Sequence, residues 1–127
     1  EFGNGVPHPR GYGNTVRVLG RYVRERKVIT LEEAVRKMTS LPARQFGLAG
    51  RGEIRVGAAA DLVIFNPATV ADTATFDAPH AYPVGILHVL VNGVPVVQGG
   101  EQLPARPGQV VRRTRVGEPL DNNPHNE

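Results

Sequence analysis

The spacing of apolar residues changes at Gly50, and that change constrains the fold more than any other feature of the chain. Before it, Leu31, Ala34, Val35, Met38 and Leu41 recur at the three- and four-residue intervals of a helix face. After it, apolar residues come in short runs such as Leu62–Phe65 and Ile86–Val91, each bounded by Gly, Pro, Asn or Asp. Helices first and strands afterwards is not the alternating order of a parallel βαβ sheet. The expected class is therefore α+β.

The element boundaries follow from local chemistry. Glycines and prolines at positions 3, 5, 7, 9, 11 and 13 predict a loop over residues 1–14. A helix is expected at Thr15–Arg26, capped by Asn14 or Thr15, with Val16, Leu19, Tyr22 and Val23 on one face. Arg24, Arg26 and Lys27 then lie at its negative end. Thr30-Leu31-Glu32-Glu33 has the form of a reciprocal capping box, opening a helix that ends near Thr39. Ser40 starts a short helix with Pro42 in its first turn and Gly47 as its stop. Strands are expected at Glu53–Val56, at Asp61–Asn66 (buried on both sides), at Ile86–Val91 and at Val94–Gln98, with a last one from Gln109 to Arg115. Gly57 is expected to turn the chain, residues 68–85 to be irregular, Asn92-Gly93 to make a hairpin, and Gly99-Gly100 to close it. The tail over 116–127 is polar, contains Pro119 and Pro124, and is expected to be disordered.

Composition narrows the function classes. The chain has 127 residues, no cysteine and a net charge of +3. Without cysteine there is neither a disulfide nor a thiolate metal site. Residues 1–60 carry 11 Lys and Arg against 5 Asp and Glu, while residues 61–127 carry 4 against 7. The basic side chains are interleaved with Glu25, Glu32 and Glu33 on helix faces. That pattern indicates solvated surface rather than a nucleic-acid interface. No apolar run is long enough to span a membrane and no signal-peptide pattern opens the chain, so the default location is the cytoplasm.

The chemistry-bearing motifs are few. His-x-His, His-Glu-x-x-His and Gly-x-Ser-x-Gly are all absent, and His8, His80, His88 and His125 do not pair at helical or strand spacing. His88, between Leu87 and Val89, fits a structural strand residue, and His80, after Pro79, fits a turn or surface role. Only Pro7-His8-Pro9-Arg10-Gly11-Tyr12-Gly13 has the character of a site. His8, Arg10 and Tyr12 are the candidate substrate-binding residues, suited to a carboxylate; an ordinary barrel-rim loop is the other reading.

Two stretches carry a family resemblance. Residues 52–66, GEIRVGAAADLVIFN, resemble the segment that follows the barrel in many amidohydrolase-superfamily enzymes and returns the chain to their small β-sandwich. The run from Glu32 to Ala43 resembles the helix leading into it. The narrower resemblance is to N-acyl-D-amino-acid deacylases. It rests on Pro7-His8-Pro9-Arg10 with residues 13–20, on residues 75–86 (TFDAPHAYPVGI), on Val91-Asn92-Gly93 and on Ala105-Arg106-Pro107-Gly108. Asn14 and Asn66 depart from the family pattern.

What the resemblance implies is a C-terminal piece of a zinc-dependent amidohydrolase that hydrolyses N-acyl-D-amino acids. Residues 1–50 would be the terminal loop and helices of a TIM-type barrel, and residues 51–115 part of a β-sandwich. Zinc would be held by the full-length parent, with none expected here. The family's catalytic Asp would precede the Pro7–Arg10 loop, so no catalytic or metal residue is assigned to this chain. The expected partners are the rest of the barrel and further copies of the chain, and neither nucleic acid nor membrane. The wider superfamily leaves a dihydroorotase or a deaminase as alternatives. An oligomerisation module with exposed strand edges is a structural alternative, and a free-standing binding domain a weaker one.

Overall fold

The structure, a computed structural model, describes residues 8–112. The expected tail over 116–127 and the last residues of the strand expected from Gln109 to Arg115 lie outside that range. Helices precede a four-stranded antiparallel sheet, as the α+β order requires.

The first helix begins earlier than expected. α1 spans Arg10–Arg17 and continues without a break into π-helical turns over Val18–Glu25, so residues 10–14 are helix and not loop. Pro9 explains this. Its φ of −55° is already helical, and the N–H that proline lacks is one that a first turn leaves unbonded. The Gly11 N–H donates to the His8 carbonyl at 3.0 Å and the Tyr12 N–H to the Pro9 carbonyl at 3.1 Å. Neither Asn14 nor Thr15 acts as the cap.

Glycine is placed in this helix for close approach rather than flexibility. Gly13 and Gly20 lie about two turns apart and so share a face. A Cβ on Gly13 would stand 2.7 Å from the Asp72 Cβ, and one on Gly20 would stand 2.8 Å from the Val70 carbonyl oxygen. The bare backbone forms a groove, and the strap Val70–Asp72 lies in it. Two arginines fasten the strap: Arg17 to the Asp72 carboxylate at 2.7 Å, and Arg24 to the carbonyls of Val70 and Pro67 at 2.7 and 3.1 Å. Arg24 thus serves the strap.

Helix α2 spans Leu31–Met38 and α3 spans Ser40–Phe46. The Thr30 hydroxyl accepts from the Glu33 N–H at 3.2 Å, but only this half of the capping box forms. The Glu33 carboxylate is drawn instead to Arg36, one turn on, at 2.6 and 2.7 Å. Gly47, with φ 66°, ends α3 as expected. The core gathers Val16, Leu19, Ala34 and Val70, with Leu31, Met38, Phe65 and Ile86 packed against it.

The sheet runs β1 Leu62–Phe65, β2 Ile86–Val91, β3 Val94–Gln98 and β4 Glu101–Gln102, each strand pairing with the next. Asn92 and Gly93 take φ 49° and 79°, the successive positive values that a two-residue hairpin turn requires. Gly99-Gly100 makes a second such turn into β4, a strand the sequence pattern did not reveal. Three expectations fail. Glu53–Val56 pairs with no strand, and Ile54 and Val56 are 92% and 100% exposed. The described part of the last expected strand, residues 109–112, is irregular. β1 is not buried on both sides, since Val63 and Ile64 are 55% and 48% exposed. Among the described residues, Phe65 at the end of the strand packs against the core, while Val63 and Ile64 remain about half uncovered.

An ionic junction ties the helical part to the sheet. Asp61 accepts from Arg51 and from the Asn92 N–H, the latter at 2.8 Å. Arg51 also reaches the Asn92 side-chain oxygen at 3.1 Å, and the Asn92 amide nitrogen donates to the Pro107 carbonyl at 2.8 Å. The Asp at the head of β1 and the Asn-Gly turn therefore work as one unit.

Candidate functional site

The first turn of α1 faces a loop that the sheet projects toward it. Ala71 and Val84 pair backbone to backbone at 3.2 and 3.0 Å, forming the neck of that loop. The Thr73 hydroxyl donates to the Tyr82 carbonyl at 2.7 Å, and a turn between Thr75 and Ala78 closes the tip. Asp72, held by Arg17, fixes the neck against the helix. The loop is irregular, as expected, but it is closed by its own hydrogen bonds.

Its rings meet the candidate residues. The His8 and Phe76 ring centroids are 5.0 Å apart, edge to face. The Tyr12 hydroxyl lies 3.0 Å from His80 Nδ1, and donates to it in the tautomer that carries the proton on Nε2. Tyr12 also packs edge-on against Tyr82 at 5.7 Å. His8 Nδ1 accepts the Arg10 backbone N–H at 3.1 Å, so the His8 ring closes the start of the helix. His80, expected in a turn or surface role, is a partner of Tyr12.

Arg10 stands apart from the rings. Two residues along a helix is about 200° around its axis, so positions 10 and 12 point to opposite sides. The Arg10 guanidinium is exposed and forms no ion pair with any described residue. The structure therefore joins His8 and Tyr12 through the loop and leaves the Arg10 side chain exposed. His88 behaves as expected of a strand residue: it pairs with Ile64 and Gln98, and its Nδ1 accepts from the Gly99 N–H at 3.4 Å.

Sequence reasoning missed Phe76, His80 and Tyr82 as partners of the turn. One signal was available. The chain has only three Tyr and four Phe, and Tyr12, Phe76 and Tyr82 fall in this one cluster.

A zinc centre does not fit the described residues. No three His, Cys, Asp or Glu side chains among them gather closely enough to hold a metal. His8 packs on Phe76, His80 contacts Tyr12 and Asp72 is paired with Arg17. A separate open cavity of about 360 Å³ lies between the helix and the strap, lined by Arg17, Arg21, Arg26, Asp72 and Thr75 among others. No described helix is long and apolar enough to cross a membrane.

Comparison with known proteins adds a family. Residues 5–97 match the model of the amidohydrolase family. The chain is 58% identical over 109 residues to an N-acyl-D-glutamate deacylase of Alcaligenes xylosoxydans xylosoxydans, covering 84% of this chain and 22% of that protein. It is 53% identical over 108 residues to a D-aminoacylase of the same organism, covering 85% and 22%. Among solved structures it superposes on a D-aminoacylase with a TM-score of 0.83 at 48% identity, covering 85% and 23%. It also superposes on the N-acyl-D-glutamate deacylase of Bordetella bronchiseptica, at a TM-score of 0.76 and 54% identity, covering 84% and 22%. That enzyme was solved with zinc and a phosphonate inhibitor that mimics the tetrahedral intermediate. The chain spans about a fifth of the length of the curated relatives it matches.

Proposed function

The chain belongs to the amidohydrolase family, and on that premise we propose that it is part of an enzyme that hydrolyses the amide bond of N-acyl-D-amino acids. The observation that carries this is the 58% identity to an N-acyl-D-glutamate deacylase over 109 residues, 84% of this chain. It favours a deacylase over the dihydroorotase and deaminase alternatives. Residues 1–50 would be the terminal loop and helices of the barrel, and residues 51–115 a portion of the β-sandwich. Zinc, which supplies the hydrolytic chemistry when bound, would be held by residues elsewhere in the longer protein.

Within that enzyme, this chain's contribution is to binding. Arg10 offers an exposed guanidinium with no competing carboxylate among the described residues, and so suits a substrate carboxylate. His8 and Tyr12 flank it in sequence and anchor the turn that carries it. A charge-assisted contact of this kind contributes about 1.5–3 kcal/mol, so Arg10→Ala should raise KM at least about tenfold for a dicarboxylic substrate.

The test is to assay the full-length protein and the 127-residue chain side by side, with zinc, on N-acetyl-D-glutamate, N-acetyl-D-aspartate and a neutral N-acetyl-D-amino acid. The full-length protein should hydrolyse at least one of these and spare the L-enantiomers, while the chain alone should be silent. Turnover by the chain alone would overturn the division of labour. A full-length protein inert toward all three would overturn the deacylase assignment.

The exposed apolar side chains Ile54, Val56, Val63 and Ile64 support a second proposal about partners. The rest of the longer protein would cover them in the enzyme, and the 127-residue chain alone would self-associate to cover them. Light scattering showing compact monomer at high concentration would remove this proposal.

A further inference from the structure

We infer that the loop from Thr73 to Tyr82 is a clamp that positions the turn His8–Tyr12, and through it Arg10, for a substrate carboxylate. The inference rests on the deacylase proposal and goes beyond it by naming Phe76 and His80 as positioning residues.

The contacts sit at the two ends of one turn. At the first end, Phe76 packs edge-on against His8, and the same His8 ring accepts the Arg10 backbone N–H through Nδ1. At the other end, His80 contacts the Tyr12 hydroxyl at 3.0 Å, and Tyr82 packs on the Tyr12 ring. Arg10 is the charged residue between the two fixed points. A short stretch of backbone held at both ends has little freedom left in its middle. A guanidinium that must meet a carboxylate in a defined geometry gains from such preorganisation.

The clamp is braced from behind. Its neck is closed by the Ala71–Val84 pairing and held to the helix by Arg17 on Asp72. The Gly13 and Gly20 groove lets that neck approach the backbone of the helix that carries the turn. Rings that served only as core would be buried, yet His8, Phe76, His80 and Tyr82 remain exposed while touching their partners. They hold the turn in place without taking part in the main core around Val16, Leu19, Ala34 and Val70.

Loss of a brace and loss of the braced group cannot add. The experiment uses the full-length enzyme and four variants: Arg10→Ala, His80→Ala, His80→Asn and the double variant Arg10→Ala with His80→Ala. KM and kcat are measured for the N-acyl-D-amino acid that the enzyme turns over best, and melting temperature is recorded for each. His80→Ala should raise KM about three- to tenfold with kcat changed less than twofold and the melting temperature unchanged. The double variant should be no worse than Arg10→Ala alone. His80→Asn, whose side-chain oxygen can stand where Nδ1 does, should recover most of the loss. Phe76→Ala gives an independent check at the other end of the turn and should also raise KM. Additive losses in the double variant, or an unchanged KM in both His80→Ala and Phe76→Ala, would overturn the clamp while leaving the deacylase assignment standing. No turnover by the unmutated enzyme would overturn the assignment, and the clamp with it.

Discussion

Gly20→Ala reverses the sign that helix propensity alone would give it. In an open helix, replacing glycine by alanine stabilises by about 1 kcal/mol, because alanine loses less backbone freedom on folding. At position 20 the new Cβ would stand 2.8 Å from the Val70 carbonyl oxygen and 3.4 Å from the Ala71 Cα. Both are backbone atoms, so no side chain can swing aside. The strap must move outward, and Val70, which is fully buried, moves with it. That shift also strains the 2.7 Å bond from Arg24 to the Val70 carbonyl. Overpacking costs about 1–3 kcal/mol, and a weakened charge-assisted hydrogen bond adds part of a further ~1.5–3 kcal/mol. Set against the propensity gain, the net loss should be about 1–3 kcal/mol. For a chain of this length each kcal/mol corresponds to about 3–5 °C in Tm. Gly11→Ala is the matched control, since a Cβ there meets nothing within 4 Å. It should leave Tm unchanged or raise it slightly. Thermal melts followed by circular dichroism, on both variants and the parent chain at one concentration, make the comparison. A Gly20→Ala melt as high as that of Gly11→Ala would refute the packed groove.

Thr30→Ala removes the hydroxyl that accepts the Glu33 N–H and should cost about 1 kcal/mol in urea titrations. Asp61→Ala deprives the Asn92 N–H of its acceptor and Arg51 of its carboxylate partner, leaving Arg51 the Asn92 side-chain oxygen. It should cost about 1–2 kcal/mol and speed hydrogen exchange of the Asn92 amide, while the helical amides keep their protection. Acid should weaken the fold through Glu33 and Glu53. Hydrogen bonds from Arg36 and Arg44 respectively hold these carboxyls below the usual glutamate range. Their contribution is complete above that range and is lost as pH falls through the depressed folded values. Glu33→Gln should therefore flatten the fall of Tm below pH 4.5, and an unchanged slope would show that the Arg36 pair contributes nothing to it.

Much of the fold was legible because the relevant signals are local. Thr30 caps its helix, Gly47 stops α3 and Asn92-Gly93 makes the hairpin, each through contacts within a few residues. The failures need information from further away. Glu53–Val56 alternates as a strand should, but a strand requires a partner, and none is present among the described residues. The run Leu62–Phe65 is apolar enough for burial on both faces, yet among the described residues only Phe65 of this run packs against the helical core, and Val63 and Ile64 stay exposed. Glu33 could have completed its box, but Arg36 one turn away offered a charged partner in place of a neutral amide.

The site was hidden by the same misreading that hid the start of the helix. Gly11 and Gly13 looked like loop residues because glycine in isolation signals a turn. Here Gly13 instead provides the clearance that lets Asp72 approach α1. Once residues 10–14 are helix, Gly13 and Gly20 become a stripe rather than breaks in the chain, and a stripe of missing side chains has to be filled by something. The strap fills it, and the loop that continues from the strap brings Phe76 and His80 onto the turn. His80 and Tyr12 are 68 residues apart, and no periodicity in either segment points to the other. The composition does hold a trace of the link, in glycines spaced at about two helical turns and in Phe76 and Tyr82 standing six positions apart in a chain with only three Tyr and four Phe. In a chain poor in rings, a loop that carries Phe, His and Tyr within seven residues has to place them somewhere. The turn ahead of it in sequence, with His8 and Tyr12, is the surface on which it does so once the strap is seated on the glycines.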